Sequence, residues 1–149
     1  MHILGIETSC DETSVAIIKG DENNVVLKAN IVASSLAMHA QTGGVIPENA
    51  AREQIKFILP VLLEALEKAN VKLKDIDAIG LTYGPGLIGS LLVGVETAKT
   101  IAYVLNKPIV PVNHMVGHIY ANFIGEISNI QYPISNNLMP EFPAIALVI

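Results

Sequence analysis

The sequence predicts an α/β fold with a mixed sheet that begins with three antiparallel strands and is flanked by helices. Two observations carry that reading. Three β-rich runs separated by turn chemistry fill the amino-terminal part, and helical spacing then alternates with short apolar strand-like runs. The 149 residues suffice for one domain with a sizeable core.

Element by element, "HILGIET" is a short apolar run that reads as a first strand ending at Glu7 and Thr8, and "TSVAIIK" and "NVVLKANIVAS" make the second and third. "SCDE" is the tip of the first hairpin, and "GDENN" supplies the turn of the second. Gly43 and Gly44 mark a loop, after which Pro47 can open a helix where its missing N–H costs nothing. Ile55, Ile58, Leu59, Leu62, Leu63 and Leu66 recur at helical spacing up to a stop near Asn70, with Pro60 predicting a kink or two helices end to end. A strand over Ala78 to Thr82 feeds a glycine-rich turn. The helix that follows carries small residues at Gly89, Ser90, Gly94 and Ala98, which permit close packing on a sheet. "PIVPV" reads as a short buried-type strand, "NHMVGHIYANFIG" as a helix capped by Asn113, and "EISNIQYPISNNLMPEF" as an irregular loop. "PAIALVI" is a core-type strand at the chain's last residues, so the sequence reads as the front part of a longer protein.

Composition narrows the class. The chain is 51% hydrophobic and 15% charged, with mean hydropathy +0.49, which predicts apolar surface kept for a partner or for another part of the protein. Two long stretches, Ala78 to Val95 and Pro108 to Gly125, lack Asp, Glu, Lys and Arg. The first is broken by Pro85 and several glycines, the second by two histidines and two asparagines, so neither reads as a membrane span. A lone cysteine, Cys10, excludes an internal disulfide framework and fits a reducing, cytoplasmic compartment. The net charge of −5 argues against this segment being the main nucleic-acid surface.

Three constellations can carry chemistry. His114 and His118 lie four residues apart on a helix, ~40° around the axis and ~6 Å along it, so both imidazoles can address one cation; they can equally share a face without one. Zinc proteases with this spacing need Glu after the first histidine, and Met115 stands there instead. "ETSCDETS", from Glu7 to Ser14, is a hairpin tip dense in hydroxyls and carboxylates, suited to phosphate or metal or simply to water. "TYGPGLIGS" hands a strand to a helix through glycines, either as an anion site or as a means of tight packing. His39 beside Gly43 and Gly44 is ambiguous in the same way, and His2 is a strand-start residue.

Taken in order, "GIETSCDETSVAI", "MHAQTGGVIPE", "YGPGLIGSLLVG", "NKPIVPVNHMVGHI" and "PEFPAIALVI" resemble the tRNA N6-adenosine threonylcarbamoyltransferase family over almost the whole chain. The part from Lys99 to Ile119 is the most specific. The resemblance implies an actin-like, sugar-kinase and chaperone ATPase-type fold, with residues 1–149 forming the first of two lobes and an ATP- or AMP-like nucleotide in the cleft between them. It implies transfer of a threonylcarbamoyl group from threonylcarbamoyl-adenylate to N6 of the adenosine next to the anticodon in tRNAs reading codons that begin with A. His114 and His118 then correspond to two ligands of one divalent metal ion, iron or zinc, and Asp11 and Glu12 to acidic positions implicated in activity.

By the same resemblance, the third metal ligand is an aspartate of the second lobe, and a Ser- and Gly-rich adenylate-binding loop follows Ile149. These residues alone are therefore expected neither to transfer the group nor to bind the adenylate tightly. The Asn-rich loop from Glu126 to Met139 is longer than is usual for the family, as a lineage-specific insertion would be. Expected partners are the tRNA substrate and accessory tRNA-modification proteins, including a non-catalytic paralogue, with no membrane. Self-association of this lobe through exposed apolar surface is also expected. The competing reading, a non-catalytic dimerisation scaffold of the same fold, leaves the histidine pair without a purpose. A metallopeptidase reading, once attached to the family, lacks the His-Glu start.

Overall fold

A computed structural model describes residues 1–20, 25–35, 43–122 and 124. His39, most of the turn after Gly20, the loop over 126–139 and the apolar run over 143–149 lie outside the described residues.

Strands β1 (His2–Glu7), β2 (Glu12–Gly20) and β3 (Val25–Ser34) pair antiparallel in sequence, as predicted. Helix α1 (Pro47–Ala69) and a short 3-10 turn (Leu73–Asp75) lead to β4 (Ala78–Gly84), then α2 (Ile88–Leu105), β5 (Ile109–Asn113) and α3 (His114–Ala121). The sheet order is β3-β2-β1-β4-β5, with β4 parallel to both β1 and β5.

Register explains the core. Ala29, Ile17, Leu4, Ile79 and Ile109 form one row across all five strands, and Ile31, Val15, Ile6 and Leu81 form the next. Strand alternation turns both rows to one face, and α1 and α2 close over it with Ile58, Leu62, Leu66, Ala98, Ile101 and Ala102. Glu7, one residue beyond Ile6, points to the opposite face.

The structure narrows one expectation and departs from another. Helix α1 is a single helix through Pro60, not two placed end to end. Proline inside a helix costs ~3 kcal/mol, but Val61, Leu62 and Leu66 are buried beyond it, each worth roughly 1.5–3 kcal/mol on full burial. Packing therefore outweighs the missing hydrogen bond. Of the six apolar residues at helical spacing, Ile58, Leu62 and Leu66 enter the core, whereas Ile55, Leu59 and Leu63 stand exposed on α1.

The departure is β5, predicted as a buried-type strand. It is the outer strand of the described sheet, with Val110 and Pro111 exposed. Pro111 is tolerated there because an outer strand does not need every ladder N–H.

Helix α2 follows the small-residue reading. Ser90 and Ala98 are fully buried, and a Cβ at Gly94 would lie 2.5 Å from the Thr8 hydroxyl. By length and composition α2 could cross a membrane; here its small-residue face lies on β1 and β4.

Candidate functional site

Strands β1, β4 and β5 run parallel, so Glu7, Gly84 and Asn113 bring their carboxyl ends to one edge. The chain leaves β1 toward β2 on one side and leaves β4 through α2 toward β5 on the other. Adjacent parallel strands whose connections diverge open a crevice at that edge, the usual ligand position in open α/β sheets.

The loop from Thr8 to Asp11 is tied down through its backbone. The Thr8 hydroxyl donates to the Ser90 carbonyl at 2.8 Å, and Leu87 N–H donates to the Ser9 carbonyl at 2.7 Å. Gly86 is required at that contact, because a Cβ there would lie 2.5 Å from the Ser9 carbonyl oxygen. The Cys10 carbonyl accepts from Gln54 Nε2 at 2.9 Å and from Ser90 Oγ at 3.1 Å. The Asp11 carbonyl accepts from Ser35 N–H and Oγ, and Gln54 Nε2 reaches the Glu12 carbonyl at 3.0 Å. With the carbonyls held inward, the Asp11 side chain is left half-buried and that of Glu12 exposed.

This accounting decides the glycine-rich turn. Its glycines let α2 press on the loop after β1, which favours the packing alternative over an anion site. Cys10 contributes its carbonyl rather than a reactive sulfur: burial and the neighbouring Asp11 push its thiol pKa up, away from the nucleophilic thiolate.

Asn113 caps α3 as predicted, its Oδ1 accepting from Met115 N–H at 3.0 Å and Val116 N–H at 3.3 Å. The cap starts the helix at His114, and the two imidazoles converge. Their Nε2 atoms lie 3.0 Å apart, with the rings edge to face at 89°. A tetrahedral set of ~2.0–2.1 Å metal–nitrogen bonds places its nitrogens ~3.3 Å apart, so the pair fits one cation, and imidazole nitrogen suits iron or zinc. Among the described residues no group of three or more His, Cys, Asp or Glu side chains is arranged to hold a metal ion.

Behind the pair, His114 Nδ1 lies 3.2 Å from Glu7 Oε2 and 3.2 Å from Ser9 Oγ. Burial pushes the Glu7 carboxyl up, but hydrogen bonds from Ser9, Thr82 and His114 more than offset it and hold the pKa below the usual carboxylate value. Glu7 is therefore a carboxylate at neutral pH. Glu7 at the end of β1 and Ser9 in the loop contact His114; Asp11 closes that loop and Glu12 opens β2.

The sequence reading has Glu7 as a strand end and as the first residue of the "ETSCDETS" tip, without a histidine partner, and gives Gln54 no role. The second carried a usable signal, because Gln54 sits four residues from Ala50 and from Ile58 on the core stripe of α1. His2 begins β1 as expected, its N–H donating to Asp77 at 2.7 Å, and Lys99 is a surface residue paired with Glu96.

Residues 26–139 match the family pattern of tRNA N6-adenosine threonylcarbamoyltransferase (TsaD). Curated relatives bearing that name include one from Ligilactobacillus salivarius, 50% identical over 99% of this chain and 38% of the relative. Another, from Clostridium novyi, is 54% identical over 83% of this chain and 36% of the relative. A third, from Thermomicrobium roseum, is 48% identical over the full chain and 39% of the relative. The chain thus spans less than half the length of the curated relatives it matches. Among solved structures, YeaZ from Pseudomonas aeruginosa superposes with a TM-score of 0.58 at 22% identity, covering 81% of this chain and 50% of that one. RuvC from T. thermophilus, in complex with a Holliday junction substrate, gives a TM-score of 0.51 at 15% identity over 82% of this chain and 72% of that one. These likenesses concern the fold, a mixed α/β sheet with flanking helices.

Proposed function

This chain belongs to the tRNA N6-adenosine threonylcarbamoyltransferase family, and from that premise we propose that the protein of which it forms part modifies tRNA. The reaction is transfer of a threonylcarbamoyl group from threonylcarbamoyl-adenylate to N6 of the adenosine next to the anticodon in tRNAs reading codons that begin with A. Residues 1–149 serve as the first of two lobes in this reading. The observation that carries it is the convergence of His114 and His118, Nε2 to Nε2 at 3.0 Å, beside the loop that bears Asp11 and Glu12.

His114 and His118 are the residues that would hold a divalent iron or zinc ion, with an aspartate of the second lobe completing the set. Such an ion supplies positive charge against the phosphate that departs from the mixed anhydride. The chain's own residues do the rest. The N6 amine attacks the carbamoyl carbon, a C–N bond forms, the C–O bond to the adenylate phosphate breaks, and AMP leaves. The amine proton passes to the carboxylate of Asp11 or Glu12, whose backbone carbonyls are held by Ser35 and Gln54 respectively.

The test uses the full-length protein, threonylcarbamoyl-adenylate and substrate tRNA, with AMP release and nucleoside analysis as readouts. His114→Ala should abolish metal retention and transfer together. Asp11→Asn or Glu12→Gln should lower transfer by roughly 10²–10⁴-fold with metal retained. Transfer unchanged in all three variants would leave the chain as a scaffold and overturn the reading.

A further inference from the structure

We propose that Glu7 is a positioning residue for the histidine pair, its carboxylate accepting the Nδ1 hydrogen of His114 so that the Nε2 lone pair of that ring faces His118. The inference rests on the reading of His114 and His118 as ligands of one cation, and it assigns a role to a residue that touches neither substrate nor ion.

The geometry supplies the argument. His114 Nδ1 has two neighbours at 3.2 Å, Glu7 Oε2 and Ser9 Oγ. A hydroxyl can donate or accept, so Ser9 alone leaves the tautomer of His114 open. A carboxylate only accepts, so its approach is favourable only when Nδ1 carries the hydrogen. In the neutral ring Nε2 is then bare, and it lies 3.0 Å from Nε2 of His118.

The carboxylate is itself fixed. Its other oxygen, Oε1, accepts from the Ser9 N–H. Glu7 closes β1 and is still in register with Ser14 of β2. Both oxygens face donors, and this makes glutamine a poor substitute despite its shape. A carboxamide has one oxygen for two N–H groups, and its NH2 would confront either Ser9 N–H or His114 Nδ1–H. Carboxylate partners of this kind orient metal-binding histidines, and their loss usually lowers metal affinity about 10–100-fold.

The experiment uses the full-length protein with labelled histidine. Long-range 1H–15N correlation spectra of the metal-free wild type, assigned with His114→Ala, report which ring nitrogen of His114 bears the hydrogen. Zinc affinity is measured by competition with a chromophoric chelator. The wild type should show the Nδ1–H form. Glu7→Gln should shift His114 toward the Nε2–H form and weaken zinc about 10–100-fold, and Glu7→Ala should do at least as much.

A wild-type His114 in the Nε2–H form overturns the assignment even if neither variant folds. Zinc affinity unchanged in Glu7→Gln but lost in His114→Ala overturns the role of Glu7 alone. Affinity unchanged in His114→Ala overturns the cation reading beneath it.

Discussion

Gln54 offers the sharpest test of how the loop bearing Asp11 and Glu12 is held. Its side chain is buried, and its Nε2 donates to the Cys10 carbonyl at 2.9 Å and the Glu12 carbonyl at 3.0 Å. Its Oε1 is buried with no hydrogen-bond partner among the described residues. Gln54→Leu deletes two donated bonds, worth roughly 0.5–1.5 kcal/mol each, and also removes an unsatisfied acceptor that costs ~1–3 kcal/mol. These effects oppose, so the net loss should be small, about 0–2 kcal/mol. Gln54→Glu keeps the shape but sets a carboxylate against carbonyl oxygens, and an uncompensated buried charge costs roughly 3–5 kcal/mol.

At ~2–4 °C per kcal/mol for a unit of 150–250 residues, Gln54→Glu should unfold roughly 5–10 °C below Gln54→Leu at pH 7. The introduced carboxyl has a folded-state pKa raised above its unfolded value of ~4.3. Its protonated form regains a donor, so the penalty is absent below that value and grows as pH rises toward the folded pKa. Thermal unfolding of the full-length variants at pH 7 and pH 5 measures both effects. A Gln54→Glu protein as stable as Gln54→Leu, with no recovery at pH 5, would refute the clamp.

Three further outcomes follow from other contacts. A Cβ at Gly94 would lie 2.5 Å from Thr8 Oγ1 and 3.5 Å from Ile6 Cγ2; overpacking of about 1–3 kcal/mol against a helix gain of ~1 kcal/mol makes Gly94→Ala destabilising. Gly117→Ala is its control, neutral or stabilising by up to ~1 kcal/mol, because its Cβ would meet Val112 at an ordinary 3.9 Å; urea unfolding compares the two. The carboxyl of Asp77 has its pKa lowered, chiefly by the His2 N–H, so its contribution is present above the unfolded value and lost as pH falls through the folded one. Asp77→Asn should therefore unfold earlier than wild type at pH 7 and converge with it at pH 3, as calorimetry at both pH values can establish. Cys10 is exposed yet has a raised pKa, so at pH 8 iodoacetamide should alkylate it more slowly than a free cysteine peptide, as mass spectrometry can follow.

Much of this architecture is legible because its signals are local. The hairpin strands declare themselves through alternation and turn residues, Asn113 through capping chemistry, and His114 with His118 through a spacing of four on a helix. What stays hidden is set by long-range contact. Glu7 meets His114 across 107 residues of chain, and Gln54 meets Cys10 across 44. Nothing in the neighbours of either residue announces such a partner. Pro60 leaves a kink and a break open on local grounds, and only the burial of Val61, Leu62 and Leu66 beyond it keeps the helix single.

The placement of the site follows from the same contacts that hold the fold. Helix α2 approaches β1 closely only because positions 86 and 94 lack a Cβ, and that approach lets Ser90 take the Thr8 hydroxyl and give its own to Cys10. The loop after β1 is thereby clamped between α1, through Gln54, and α2, through Ser90, while the end of β1 presents Glu7 on the other face of the sheet. A displacement of α2 must therefore move the backbone of Asp11 relative to His114. Gly94→Ala should consequently lower the transfer proposed above by more than its loss of stability alone explains. Transfer per folded molecule equal to wild type in that variant would show that helix packing and site geometry are independent.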